Sequence, residues 1–91
     1  MLVKTLSKKE IRKWATAYAR FVYWDEEEGI YIGQCPELFG GGVHGKDEAK
    51  AYAELLTIIE EVVEDFLRDG RPLPKGKALS IVRATMDAVA A

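Results

Sequence analysis

The sequence predicts an α+β domain whose elements follow in the order α-β-β-β-α-β. Two observations predict this class: apolar residues recur with helical spacing in two separate segments, and short β-rich runs bounded by turn residues lie between and after them. The chain has 91 residues, which is enough for one modest hydrophobic core. We therefore expect residues 1–91 to form a single domain, with the long helix packed across one face of an antiparallel sheet.

The first helix is predicted over about residues 7–18. Ser7 and Glu10 have capping-box spacing, in which each side chain accepts a hydrogen bond from the other residue's backbone N–H at a helix start. Four apolar residues then follow at helical spacing and form one stripe, so we expect this helix to pack on another element. The stripe consists of Ile11, Trp14, Ala15 and Tyr18.

A β-hairpin is predicted next. The β-rich run 21–24 leads into the polar turn 25–29, and a second run, 30–35, stops at Pro36, which lacks the N–H that a sheet ladder uses. Side chains alternate along a strand, so both faces of the hairpin carry apolar residues and both need cover. One face is predicted to hold Phe21 and Tyr23, and the other Val22 and Trp24, with Ile30 and Ile32 opposed to Tyr31.

The second half of the chain is predicted to contain a short strand, the long helix and a final strand. The glycine-rich segment 40–44 is expected to be the third strand, and Asp47 caps a helix that ends at Gly70. Residues 78–85 are expected to pair beside the hairpin as the last strand. The predicted apolar stripe of the long helix comprises Tyr52, Leu55, Leu56, Ile59, Val62, Val63 and Phe66.

Composition and charge narrow the function classes. One cysteine and one histidine cannot build a disulfide or a four-ligand structural zinc site. A formal net charge of −2 argues against general nucleic-acid binding and suits a basic partner better. The N-terminus has no apolar run typical of a signal peptide or a membrane span, so we expect a cytoplasmic protein that does not associate with membranes.

The candidate chemical groups do not assemble into a catalytic set. The carboxylates of residues 25–28 are consecutive and diverge around a turn, which favours a solvated hairpin over a metal site. His44 has no nucleophile at a suitable spacing, and Cys35 beside Pro36 is more typical of a small buried hydrophobe than of a reactive thiol. A phosphate-binding loop at residues 40–46 would need its glycines directly before a helix, but Val43-His44-Gly45 stand between the three glycines and the predicted helix. We expect no enzyme activity, no cofactor and no metal.

Four landmarks resemble the HicB family of antitoxins. They match the family pattern of Gly-x-Tyr, Pro-x-Leu-x-Gly, a further Gly and a terminal Gly-x-x-x-Pro after a long helix. The resemblance covers about residues 19–80. In this sequence the landmarks are Gly29-Ile30-Tyr31, Pro36-Glu37-Leu38-Phe39-Gly40, Gly45 and Gly70-Arg71-Pro72-Leu73-Pro74.

The resemblance implies a partial ribonuclease-H-like fold without catalysis. It also implies a partner, a small basic HicA-type ribonuclease toxin whose catalytic histidine the antitoxin covers. An apolar or aromatic centre rimmed by acidic residues would bind such a partner. The inferred partner-binding residues are Tyr23, Trp24, Asp25, Glu26, Glu27, Glu28 and Tyr31.

Two departures from the family pattern leave alternatives open. The capping Thr or Ser is Asp47 here, and Lys50-Ala51 stands where the family has Glu-Ala. Only a short tail follows Ser80, where many family members carry a DNA-binding domain, so DNA binding is not expected. The alternative is a solitary HicB-like domain that acts as a self-associating scaffold or binds a small ligand. A relic nuclease is a third possibility, but no convergent carboxylates support it.

Self-association is expected from the aromatic residues of the hairpin. A free monomer would expose a patch around Tyr23, Trp24 or Tyr31, because one long helix covers a single sheet face. We therefore predict a homo-oligomer, most simply a twofold dimer joined through the sheet or through the N-terminal helix.

Overall fold

A computed structural model describes residues 7–76 of the chain. Within this range the protein is α+β, with two helices and one three-stranded antiparallel sheet, as the sequence predicts. The predicted final strand at 78–85 lies outside the described residues. The elements are α1 (Lys8–Ala15), β1 (Phe21–Asp25), β2 (Ile30–Gln34), β3 (Val43–Gly45) and α2 (Glu48–Arg68).

The sheet has the strand order β1-β2-β3, and its register confirms the predicted hairpin. Tyr23 pairs with Ile32, and Ile32 pairs with His44 on the other side. The turn between β1 and β2 is closed by a 2.8 Å hydrogen bond from the N–H of Gly29 to the carbonyl of Asp25. Gly29 has a φ of 67°, a conformation in which glycine avoids a side-chain clash.

The third strand is shorter and later than the sequence suggests. It was predicted at residues 40–44, but it spans Val43–Gly45. Gly41 has a φ of 79°, which takes the chain out of the extended conformation that a ladder needs. Gly42 follows so close to the carbonyl oxygen of Gly33 that a Cβ at position 42 would clash with it. These glycines therefore build a close crossing onto β2, and the strand begins only after it.

Both ends of α2 follow the predicted capping. Oδ1 of Asp47 accepts a 2.8 Å hydrogen bond from the backbone N–H of Lys50. At the other end Gly70 has a φ of 69°, and the N–H of Arg71 donates to the carbonyl of Phe66 at 3.0 Å. This six-to-one bond is the signature of a Schellman motif, which satisfies carbonyls that the last helical turn leaves free.

The core lies between α2 and the sheet. Leu55, Ile59 and Val63 have no exposed surface. Leu55 contacts the sheet where the central strand carries Gly33, since a Cβ there would lie 3.3 Å from Cδ2 of Leu55. Ala51 is also buried and lies against Gly45, so a small side chain lets the first turns of α2 approach the sheet closely.

Four residues of the predicted α2 stripe are less buried than expected. Tyr52 is 41% exposed because the neighbouring position, Ala51, faces the sheet instead. Leu56, Val62 and Phe66 are half-buried. Phe66 lies near the end of α2, where the guanidinium of Arg71 sits 4.3 Å from its ring centre.

Helix α1 packs on α2 and is shorter than predicted. It ends at Ala15, three residues before the expected end at Tyr18. The guanidinium of Arg20 donates hydrogen bonds to the carbonyls of Ala15 and Tyr18, which satisfies carbonyls at this helix end. Tyr18 still enters the core from the turn that follows, and its hydroxyl donates to the carbonyl of Pro74.

Helices α1 and α2 lie on the same side of the sheet. The described part of α1 contacts α2 and makes no comparable contact with any strand. An exposed ion pair joins the two helices, with Nε of Arg12 3.3 Å from Oε1 of Glu60. Trp14, predicted to belong to the packed stripe, is instead 54% exposed, because Ile11 and Ala15 face α2 and the core. One face of the sheet is thus left without cover by the described elements.

Candidate partner-binding surface

The residues predicted to bind a partner divide between two surfaces. We call the first the hairpin tip: Trp24, the turn 25–28 and Tyr31. Tyr23 lies on the opposite side of the sheet, because it alternates with Val22 and Trp24, and Val22 faces Gly33 and α2. The sequence alone groups all of these residues in one predicted site, whereas the structure keeps Tyr23 apart from the hairpin tip.

Trp24 is the exposed anchor of the hairpin tip. It pairs with Tyr31 across the β1–β2 ladder, and their ring centres are 5.0 Å apart at an interplanar angle of 66°. This edge-to-face arrangement is favourable for aromatic rings. Tyr31 is half-buried and packs against the core, whereas Trp24 remains 49% exposed. Tyr31 therefore holds the Trp24 ring in place while leaving much of its surface open to a partner.

The acidic turn borders these two rings. Oδ1 of Asp25 accepts hydrogen bonds from the backbone N–H groups of Glu27 at 3.0 Å and Glu28 at 3.3 Å, so this carboxylate shapes the turn. The side chains of Glu26, Glu27 and Glu28 are exposed. In the part of the chain that the structure describes, the ion pairs formed by Arg12, Arg68 and Arg71 all lie elsewhere. The turn therefore presents negative charge to an incoming partner.

The second surface is the sheet face opposite the helices, which we call the open face. Phe21 and Tyr23 are 44% and 43% exposed, and their ring centres are 6.0 Å apart. Ile32 lies between Tyr23 and His44 in the register and is half-buried without packing against the core cluster. The open face consists of Phe21, Tyr23, Ile30, Ile32, Gln34 and His44.

Phe21, Ile32 and His44 are not among the residues that the sequence predicts for a binding surface. Alternation along β1 already places Phe21 on the same face as Tyr23, and the strand register adds Ile32 to that face. Alternation alone does not show which face of the sheet the helices cover. That choice depends on Gly33, whose missing side chain makes room for Leu55 on one face only.

Cys35 is a buried core residue, as the sequence suggests. It has no exposed surface. Burial raises the pKa of its thiol, and the nearby Arg20 charge offsets this only in part. Burial also raises the pKa of Tyr18. A protonated, inaccessible thiol is a poor nucleophile, so Cys35 contributes packing to the core.

The glycine-rich segment does not form a phosphate cradle. The first turn of α2 is already capped by the Asp47 carboxylate, which accepts from the N–H of Lys50. A phosphate would meet that negative charge where it needs free N–H groups. His44 is exposed in the middle of β3, and within residues 7–76 no group of three His, Cys, Asp or Glu side chains converges as metal ligands would.

A groove of about 320 Å³ runs between α1 and α2. Charged side chains from both helices line it, and the Arg12–Glu60 ion pair lies within it. Most of its lining side chains are charged, with Ile11 as an apolar exception, whereas most small-molecule sites are lined mainly by apolar side chains. Neither α1 nor α2 is both long and apolar enough to cross a bilayer.

The buried thiol predicts a loss of stability at alkaline pH. The pKa of the Cys35 thiol is higher in the folded protein than in the unfolded chain. Its contribution to folding stability is therefore fully present below the unfolded pKa and is lost as the pH rises through the folded pKa. We expect the free energy of unfolding, measured in urea, to fall above about pH 9. Cys35→Ala should be less stable at pH 7 but should lose less between pH 7 and pH 10, because the raised pKa of Tyr18 places its own contribution mainly above that range. Equal losses in both proteins would contradict this role of Cys35.

No known protein family, curated protein or solved structure matches this chain.

Proposed function

We propose that this chain is a protein-binding module of the HicB antitoxin type, which neutralises a HicA-type ribonuclease toxin by covering its active site. Under this proposal residues 78–85 complete a partial ribonuclease-H-like sheet, and the protein works in the cytoplasm. The toxin is a small basic protein, and inhibition is steric. The four landmark motifs and the α+β arrangement of residues 7–76 support the proposal.

The hairpin tip is the observation that carries this proposal. Binding energy at protein interfaces concentrates in a few large side chains, with tryptophan and tyrosine prominent among them. Trp24 is exposed and is held against Tyr31, and it borders the carboxylates of the turn 25–28. An aromatic anchor beside negative charge suits a basic partner, because the charges speed its approach and the ring provides apolar contact.

Inhibition of RNA cleavage tests the proposed function. The toxin would be the short basic protein encoded beside this chain, purified separately and assayed on a structured RNA. We expect cleavage to stop when the chain reaches an equimolar ratio to the toxin. Undiminished cleavage at a tenfold excess of the folded chain would refute the antitoxin function.

Replacing Trp24 by alanine should weaken toxin binding at least tenfold, which corresponds to about 1.4 kcal/mol. The physical reason is the loss of the aromatic anchor at the centre of the contact. Calorimetric titration would measure the dissociation constant. Trp14→Ala is the matched control, because Trp14 is 54% exposed but lies on α1. Equal weakening by both substitutions would show that the hairpin tip is not the binding site.

The open face favours a second candidate function, a solitary domain of the same type that self-associates as a scaffold. Toxin binding through Trp24 does not use the apolar open face. The exposure of that face therefore favours a contact with another protein surface. The neighbouring gene separates the two candidates. A short basic reading frame beside this one supports the antitoxin, and its absence supports the scaffold.

A further inference from the structure

We propose that the hairpin tip binds an arginine side chain of its protein partner, with the guanidinium stacked on the free face of Trp24 and paired with carboxylates of the turn 25–28. The inference rests on the proposed function and deepens it, because it names the chemical group that this surface recognises. Three features of the tip carry it: the open face of the Trp24 ring, the charge of the turn, and a second acidic segment at the same end of the sheet.

The Trp24 ring has a face that Tyr31 does not cover. The two rings meet edge to face, with their centres 5.0 Å apart and their planes at 66°, so Tyr31 covers at most one face of the indole. Trp24 is 49% exposed, which agrees with an open ring surface. Within residues 7–76 the cation that lies over an aromatic ring is Arg71, and its ring is Phe66. Indole attracts a cation more strongly than the other aromatic side chains do, so this free face is a suitable place for one.

The carboxylates of the turn have no cationic partner among residues 7–76. Glu26, Glu27 and Glu28 are exposed, and the ion pairs of the described chain lie elsewhere. Oδ1 of Asp25 accepts from the N–H groups of Glu27 and Glu28, which fixes the shape of the turn. The turn begins one residue after Trp24, so its charges are held next to the residue that carries the open ring face.

The strand register places a second acidic segment at the same end of the sheet. Gly45, the last residue of β3, pairs with Tyr31, and β3 runs antiparallel to β2. The chain that follows Gly45 therefore leaves the sheet at the end where the turn 25–28 lies. This following segment, 46–48, is exposed. Residues 25–28 and 46–48 together hold six acidic residues and one lysine, so this end of the molecule is negative.

A guanidinium fits these features better than an ammonium group does. The flat guanidinium stacks on an aromatic face while its N–H donors form a rigid fork, so one arginine can contact a ring and a carboxylate together. It is also more weakly hydrated than the ammonium group of lysine, so less hydration is lost when it meets the ring. Negative charge at this end repels phosphate groups, which favours a basic protein over a nucleic acid as the occupant.

Titration of the full chain with acetylated tri-arginine amide, followed by nuclear magnetic resonance, tests the inference. The indole N–H signal of Trp24 should shift saturably. Neutral tri-citrulline should cause no shift, and tri-lysine should bind at least about twofold more weakly than tri-arginine. Trp14 is the control within the same spectrum, because it is 54% exposed but has both Glu10 and Lys13 beside it. Its indole signal should shift much less.

Fluorination of Trp24 separates stacking of a cation from apolar contact. In a Trp14→Phe background Trp24 is the only tryptophan, so fluorinated tryptophan enters at that position alone. Fluorine withdraws electron density from the ring face and largely preserves the shape of the ring. Binding of tri-arginine should therefore weaken with each added fluorine, by about two- to fivefold over the series. Unchanged binding across the series, or equal shifts of Trp14 and Trp24 in the wild-type chain, would overturn the inference.

Charge variants test the carboxylates of the turn. Glu27→Gln combined with Glu28→Gln should weaken tri-arginine binding by about two- to fivefold. Glu54→Gln combined with Glu61→Gln is the matched control, because it removes the same charge from exposed positions of α2 and should have little effect. Equal weakening by the two double variants would overturn the assignment of the turn as the arginine site.

Inhibition of the toxin is a separate readout from binding of tri-arginine. A chain that binds tri-arginine through Trp24 but leaves RNA cleavage undiminished would refute the antitoxin function and support the arginine site. A fluorinated chain that inhibits the toxin as strongly as the unfluorinated chain, with unchanged affinity, would refute the arginine inference and leave the antitoxin function in place.

Discussion

Replacing Ile59 by alanine should lower the free energy of unfolding by about 2–5 kcal/mol. Ile59 has no exposed surface and lies between Leu55 and Val63 on the sheet-facing side of α2. The loss combines the transfer energy of the deleted carbons with the cost of the cavity that they leave. A domain of this size is stable by only about 5–15 kcal/mol, so the variant should lose a large part of its stability.

The matched control for this substitution is Tyr52→Ala. Helical periodicity alone places Tyr52 in the same apolar stripe as Ile59, but the structure leaves it 41% exposed. We expect a loss of only about 0.5 kcal/mol, as is usual for surface positions. Urea denaturation of the two variants measures both values. Comparable losses at positions 52 and 59 would mean that α2 is rotated relative to the sheet.

Gly42→Ala should lower the free energy of unfolding by about 1–3 kcal/mol. A Cβ at this position would clash with the backbone carbonyl oxygen of Gly33, and backbone atoms cannot move aside as a flexible side chain can. The crossing onto β2 would have to open, which would weaken pairing between β2 and β3. Thermal or urea unfolding would measure the loss.

Gly40→Ala is the control for Gly42. A Cβ at position 40 meets no atom within 4 Å, and Gly40 does not have a positive φ. Its substitution should therefore be close to neutral. If Gly40→Ala were as destabilising as Gly42→Ala, the loss would come from the flexibility of the whole segment and not from the close approach to Gly33.

Local signals in the sequence predicted most of the described fold. The capping residues Ser7 and Asp47 start the two helices where they were expected, and Gly70 ends the second. These signals involve hydrogen bonds within a few residues, so they operate regardless of the rest of the chain. The hairpin was predicted for the same reason, since its turn and its alternation are both local.

The sequence predicted less well wherever a tertiary contact decides the outcome. The third strand begins at Val43 because Gly42 must approach Gly33, a contact between separate parts of the chain. Ala51, and not Tyr52, faces the sheet, where it lies against Gly45. Helical periodicity gives most weight to large apolar side chains, so it does not identify close contacts made by glycine or alanine.

The candidate site shows the same limit. The sequence identified the acidic turn and the aromatic residues around it, but it could not separate Tyr23 from Trp24 in function. Their separation depends on which side of the sheet the helices cover. It also depends on α1, which packs on α2 and leaves the opposite sheet face open.

Amide hydrogen exchange of the chain, alone and with the basic toxin, tests most directly whether the hairpin tip binds a partner. Residues 26–28 are exposed in the free protein, and the amides of Glu27 and Glu28 are held only by the Asp25 carboxylate within the turn, so they should exchange faster than the amides of the sheet. The account predicts that toxin slows exchange in residues 24–31 and leaves the exposed surface of α1 unchanged. Slowed exchange confined to α1, or no change anywhere in the folded chain at saturating toxin, would contradict it.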